Sequence, residues 1–134
     1  MYLLFLTNHN RCLLLNIPML IGQDVYEKNT DIYLRGAKVA LIGYDISNSE
    51  SFDKAVYWVQ RTRELGTPDL VRVLVACKCD LEDRRAIAAD KAEAFAAQHG
   101  CLHVQTSAEA DLNVAQPFIA GSRRWLDQHK SGTR

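Results

Sequence analysis

The chain of 134 residues contains no apolar run approaching the ~18 residues of a membrane span. It carries no excess of either charge, with Lys+Arg and Asp+Glu at 16 each. A neutral chain gives no electrostatic case for nucleic acid or for an anionic membrane surface. Its four cysteines, Cys12, Cys77, Cys79 and Cys101, form neither a CxxC nor a Cys/His zinc spacing. They read as small buried hydrophobes in a reducing, cytoplasmic compartment, not as disulfides or metal ligands. His9, His99, His103 and His129 share no spacing with one another or with an acid, and are expected as scattered surface or loop residues. The opening Met1-Tyr2-Leu3-Leu4-Phe5-Leu6 is apolar, but it is short and has no basic flank, which argues against a signal peptide. No cysteine follows Cys101, so no lipid anchor is expected in this chain.

What is present is enough apolar material for one core, at 48% of residues, in a chain of single-domain length. Val71-Arg72-Val73-Leu74-Val75-Ala76-Cys77 reads as a buried parallel strand that stops abruptly in Lys78-Cys79-Asp80. A second apolar run, Val39 to Tyr44, also ends in an acid, Asp45. Phe52, Ala55, Val56 and Val59 at helical spacing predict an amphipathic helix over 49–65, capped by Ser47, Asn48 or Ser49. Gly66-Thr67-Pro68 ends it. The loop from Asp80 to Arg85 reads as a solvated charged face.

An alanine-rich helix is expected over 88–99, with Ala92, Phe95 and Ala96 inward and Gly100 as its stop. A short strand, 101–105, leads to Thr106-Ser107-Ala108-Glu109. A last helix is expected from an Asn113 cap to about Lys130, with Val114, Phe118, Trp125 and Leu126 inward and Pro117 disturbing its first turn. Nearer the start, 2–6 and 12–17 read as two strands of a hairpin, with Pro18 holding the second to an edge. Gly22-Gln23-Asp24 opens a polar stretch with a short helix near 25–33 and a turn at Arg35-Gly36-Ala37.

Strand, helix, strand, helix, strand, helix predicts right-handed crossovers, a mostly parallel sheet and helices on both faces. Three strand ends then share one edge: Tyr44-Asp45, Lys78-x-Asp80 and Ser107-Ala108. Such an edge is where α/β sheets seat a nucleotide-sized ligand. A strand running into an ordinary solvated loop would read the same way from these residues alone.

The runs Tyr33-Leu34-Arg35-Gly36-Ala37, Tyr44-Asp45-Ile46-Ser47-Asn48, Ser51-Phe52, Trp58-Val59, Lys78-Cys79-Asp80-Leu81, Ala94-Phe95-Ala96 and Thr106-Ser107-Ala108 together resemble the middle of a Rab-type small GTPase of the Ras superfamily. The likeness extends from about Gly22 to Leu126, closest in flavour to the early endocytic group. It implies an α/β, Ras-like P-loop NTPase-type sheet, incomplete at its N-terminal end. The division it implies is a divergent segment 1–21, a truncated G domain 22–130 and a tail 131–134.

The resemblance assigns a guanine site to Lys78, Asp80, Ser107 and Ala108. Asp80 would accept from the base N1–H and amine, the Lys78 stem would cover the base plane, and the Ala108 N–H would meet guanine O6. Two positions depart from the pattern. Cys77 replaces an asparagine that ties the loops together, and a thiol is a poor substitute for an amide. Glu109 replaces a lysine. On the phosphate side, Gly22 would offer its N–H to a γ-phosphate and Gln23 would orient the attacking water. Met19, however, replaces the acid that holds Mg²⁺. No G-x-x-x-x-G-K-[ST] occurs in the sequence. The expectation is therefore weak GTP or GDP binding, no Mg²⁺ and no bound metal.

The resemblance places protein effectors or regulators on 22–35, and a cytoplasmic protein peripheral to endosomal membranes through such partners. The family's first strand sits mid-sheet, and 2–6 or 12–17 would have to fill that slot. Three readings remain open: a degenerate Rab-like binding module, a small GTPase that binds and hydrolyses GTP, and an incomplete product such as one from a misread gene start.

Overall fold

The computed structural model describes residues 2–8, 12–18, 37–113 and 115–132. The strands are β1 (Tyr2–Asn8), β2 (Cys12–Pro18), β3 (Ala37–Asp45), β4 (Val71–Cys77) and β5 (Leu102–Gln105), and the helices are α1 (Ser49–Leu65), α2 (Ala89–Gln98) and α3 (Gln116–Gly132). The expected helix at 25–33 lies outside the described residues, as do Arg35 and Gly36 of the expected turn and Val114; Ala37, the turn's last residue, opens β3.

The sheet runs in the order β2-β1-β3-β4-β5. Strands β3, β4 and β5 are parallel neighbours, joined by crossovers through α1 and α2. This is the Ras-like α/β arrangement. β1 pairs antiparallel with both β2 and β3. Tyr2–Asn8 thus occupies the mid-sheet position that the resemblance gives to the family's first strand, and it runs antiparallel to β3.

Alternation along β3 and β4 splits the core in two, as the period of a strand requires. Ala40, Ile42 and Tyr44 of β3, with Leu74 and Ala76 of β4, face Phe52, Ala55, Trp58 and Val59 of α1 and Ala92 and Ala96 of α2. Val39 and Leu41, with Val71, Val73 and Val75, face Phe118 and Trp125 of α3. Both faces of β3 and β4 are buried, which is why their sequences read as nearly unbroken apolar runs. A Cβ on Gly121 would stand 2.6 Å from Val39 Cγ1, so glycine is what lets α3 lie so close to the sheet.

Several local expectations change. Asn48 is the cap of α1, its Oδ1 accepting from Ser51 N–H at 3.1 Å, while Ser47 turns back to Asp45. Gly66 ends α1 in an extended conformation, not a left-handed one. Its small size is used instead, because a Cβ there would meet Leu70 Cδ2 at 2.5 Å and the Thr62 carbonyl at 2.6 Å. Gly100, at φ +69, is the left-handed residue that closes α2.

Asn113 is not the cap of α3. It sits at φ 55 and donates from Nδ2 to the Gln105 carbonyl at 3.2 Å. The helix begins later, at Gln116, so Pro117 falls in the first turn, where a missing N–H costs no helical bond. Leu126 was expected to face the core but is 60% exposed, because the apolar stripe of α3 is spent on Phe118 and Trp125. His103, expected at the surface, lies on β5 with a side chain only 8% exposed, its Nε2 3.3 Å from the hydroxyl of Tyr44.

Candidate functional site

The carboxyl ends of β3, β4 and β5 form one edge, and backbone bonds carry the ladder past the strands. Ile46 N–H donates to the Cys77 carbonyl at 3.2 Å, Thr106 N–H to that of Ala76 at 2.7 Å, and Cys79 N–H to that of Thr106 at 3.0 Å. The register sets Asp45 directly opposite Cys77 and Ala76 opposite Gln105. Lys78, Asp80 and Ser107 therefore leave the sheet side by side although they are far apart in sequence.

The Ser107 hydroxyl, fully buried, donates to Asp80 Oδ1 at 2.6 Å and accepts from Ala110 N–H at 3.0 Å. Ser107 also exchanges two backbone hydrogen bonds with Leu112, closing the 107–112 loop on itself. Asp111 and Asn113 adopt left-handed angles in that turn, which their short polar side chains tolerate. Ala108 and Glu109 are exposed beside it, as is Asp80.

Lys78 takes a positive φ of 62 at the end of β4, and its Nζ lies 2.9 Å from Asp45 Oδ2. The other Asp45 oxygen, Oδ1, accepts from Ser47 N–H at 2.8 Å and from its hydroxyl at 2.6 Å. Burial alone would push the Asp45 carboxyl up. The two Ser47 donors and the Lys78 ammonium outweigh it and hold the carboxyl below its ordinary value. Lys78 is raised in turn, chiefly by its hydrogen bond and charge contact with Asp45. The Cys77 thiol points back along its own strand, 3.7 Å from the Val75 carbonyl.

The loop after β4 is pinned, not solvated throughout. Arg85, its side chain 14% exposed, donates to both oxygens of Glu82, to the Ile87 carbonyl and to Gln105 Oε1, each at 3.0 Å. Ala86 and Ile87 donate their N–H groups to the Ile46 carbonyl. The buried Ile87 then locks the segment into the core.

The structure brings Asp80 and Ser107 into direct contact, with Lys78 on the same edge and Ala108 next in the loop. Gly22, Gln23 and the 22–35 segment lie outside the described residues. Sequence reasoning missed Asp45 as the partner of Lys78 and Arg85 as the latch. The acid ending an apolar run was a visible signal for the first. Nothing in the charged run at 82–85 marked one arginine as largely shielded.

A mixed sheet whose three parallel strands gather Lys-x-Asp and Ser-Ala at one edge has the form of a Ras-like α/β fold. Comparisons with known proteins agree. The "Ras family" model matches residues 6–127. The chain is 40% identical over 103 residues to "Ras-related protein RHN1" of Nicotiana plumbaginifolia, which covers 77% of this chain and 52% of that protein. It is 38% identical, with the same coverage, to "Ras-related protein Rab5" of Nicotiana tabacum. It is 33% identical to "Ras-related protein Rab-10" of Diplobatis ommata, over 83% of this chain and 56% of that protein. The chain belongs to the Ras family and is of Rab type. It spans about half the length of the curated relatives it matches. Among the described residues no helix is long and apolar enough to cross a membrane.

Proposed function

We propose that this chain carries the base-recognition half of a Rab-type guanine-nucleotide site and acts as a degenerate small GTPase, a binding module that does not hydrolyse GTP on its own. The observation that carries this is the 2.6 Å hydrogen bond from Ser107 to Asp80, which unites two motifs from separate loops. Ser107 occupies one carboxylate oxygen from below, and the exposed Asp80 is an acceptor for adjacent N–H donors. Guanine offers such a pair in its N1–H and amine. Adenine offers an acceptor at N1, so it would leave the carboxylate facing a lone pair. Lys78 would cover the base plane, and the Ala108 N–H would meet O6.

The phosphate side supports the degenerate reading. Met19 offers a thioether where a carboxylate would hold Mg²⁺ through water. Gly22 and Gln23 would then have no metal-held phosphate to act on. Cys77 and Glu109 weaken the base side further. GTP or GDP would bind weakly, and Mg²⁺ would add little. Residues 22–35 would serve as a surface for protein effectors or regulators. A role in vesicle trafficking, peripheral to endosomal membranes through those partners, follows from the Rab-type resemblance.

Titration with methylanthraniloyl-GDP and methylanthraniloyl-GTP, with phosphate release followed in Mg²⁺, tests this. The expected result is weak binding that favours guanine over adenine nucleotides, a preference lost in Asp80→Ala, and no phosphate release. The second reading, a functional small GTPase, is favoured by the 40% identity to "Ras-related protein RHN1" over 52% of that protein. Tight binding with turnover would establish it and sink the degenerate one.

A further inference from the structure

We propose that Asp45 is a positioning residue of this site: fixed by Ser47 at the end of β3, it sets the place of the Lys78 side chain against the base plane. The inference rests on the guanine-site reading above. A lysine has four rotatable side-chain bonds, and an ammonium left free at a strand end samples many rotamers. Here the ammonium is held 2.9 Å from Asp45 Oδ2, although the lysine side chain remains 59% exposed. The carboxylate that holds it is itself fixed, because its other oxygen takes both donors of Ser47. Asp45 is mostly shielded, with a side chain 19% exposed, and belongs to a central strand of the sheet.

Two further features aim the lysine at this acid. The β3–β4 register places Asp45 opposite Cys77, the residue before Lys78. The positive φ at Lys78 then turns the chain at that point. The charged groups acting on Lys78 are Asp45 first, then Asp80, both on the same edge. Asp45 joins the β3 end to the β4 loop, and Ser107 joins the β4 loop to the β5 end. With Cys77 in place of an amide, these side-chain links span the three strand ends.

The test uses the full chain with its lysines reductively ¹³C-dimethylated, the Lys78 resonance being assigned through Lys78→Arg. The substitution is Asp45→Asn, which keeps an oxygen for Ser47 and removes the charge, with Asp45→Glu as the conservative rescue. Lys78 is expected to titrate above the ordinary lysine value in the parent, to fall back in Asp45→Asn and to recover in Asp45→Glu. Methylanthraniloyl-GDP binding to the unlabelled proteins is expected to weaken about two- to fivefold in Asp45→Asn, as suits a half-exposed ion pair, and to be restored in part by glutamate. A Lys78 titration identical in parent and Asp45→Asn would overturn the proposal. So would unchanged binding in Asp45→Asn where the parent binds. A parent that binds no guanine nucleotide overturns the site reading itself, a distinct result.

Discussion

Lys78 holds a backbone angle that glycine adopts freely and other residues adopt at a cost of about 1–2 kcal/mol. The cost is tolerated because the residue is fixed on both sides. Cys79 N–H is bonded to Thr106, Leu81 N–H to the Lys78 carbonyl, and the ammonium to Asp45. Lys78→Ala loses the ion pair and keeps the strained angle, whereas Lys78→Gly loses the pair and relieves the angle. In urea unfolding the glycine variant is expected to be more stable than the alanine variant by about 1 kcal/mol. Equal midpoints would show that the angle relaxes when the side chain goes.

Among the elements, α3 depends on one close approach. Alanine is ordinarily the better helix residue than glycine by about 1 kcal/mol. At Gly121, however, the new Cβ would press on Val39 at 2.6 Å and Val73 at 3.2 Å, both in the core beneath. Gly121→Ala is expected to destabilise by about 1–3 kcal/mol through overpacking. Adding Val39→Ala to it should cost less than the sum of the two single changes, which a double-mutant cycle in urea measures. The loop after β4 depends on Arg85. Arg85→Met leaves the Gln105 and Ile87 acceptors without their donor and is expected to cost about 1–2 kcal/mol. Glu82→Gln, which touches only the exposed half of that network, should cost less than about 0.5 kcal/mol.

For the whole molecule, three groups on or beside the strand ends shape stability against pH. Burial lowers His103 below its ordinary 6.5, with Glu93 opposing and Arg85 adding to the effect. The unfolded chain then takes the proton more readily. The His103 contribution is complete above 6.5 and declines as pH falls below it. Asp45, held below its ordinary 3.8, contributes above that value and loses its contribution as pH falls through the folded value. Burial raises Tyr44 to about 12 from 10.0, with Arg85 opposing, so its contribution is complete below 10.0 and declines as pH rises toward 12. Urea midpoints measured from about pH 4 to about pH 11 should form a dome with its crown between the His103 and Tyr44 windows. His103→Phe should flatten the slope just below 6.5; an unchanged slope there would assign it to other groups.

The parallel strands, α1 and α2 were legible in the sequence because each carries a local period: nearly unbroken apolar residues in a strand buried on both faces, and apolar residues three and four apart in α1. The start of α3 was misplaced because Asn113 looks like a cap. The long-range bond from its amide to Gln105 decided otherwise. Leu126 was misassigned for a related reason, since a helical stripe does not say which of its members a sheet has room to cover. The direction of β1 was likewise closed to sequence reasoning, because an apolar strand suits a central slot in either orientation.

By itself the sequence determined the residue types at three strand ends and their likeness to a Rab-type pattern. Those are local properties, set by hydrophobic period and by side-chain chemistry. Only the tertiary structure decided that Asp80 receives Ser107 from 27 residues away and that Lys78 belongs to Asp45. Such pairings depend on strand register, in which one residue of slip turns every side chain to the opposite face.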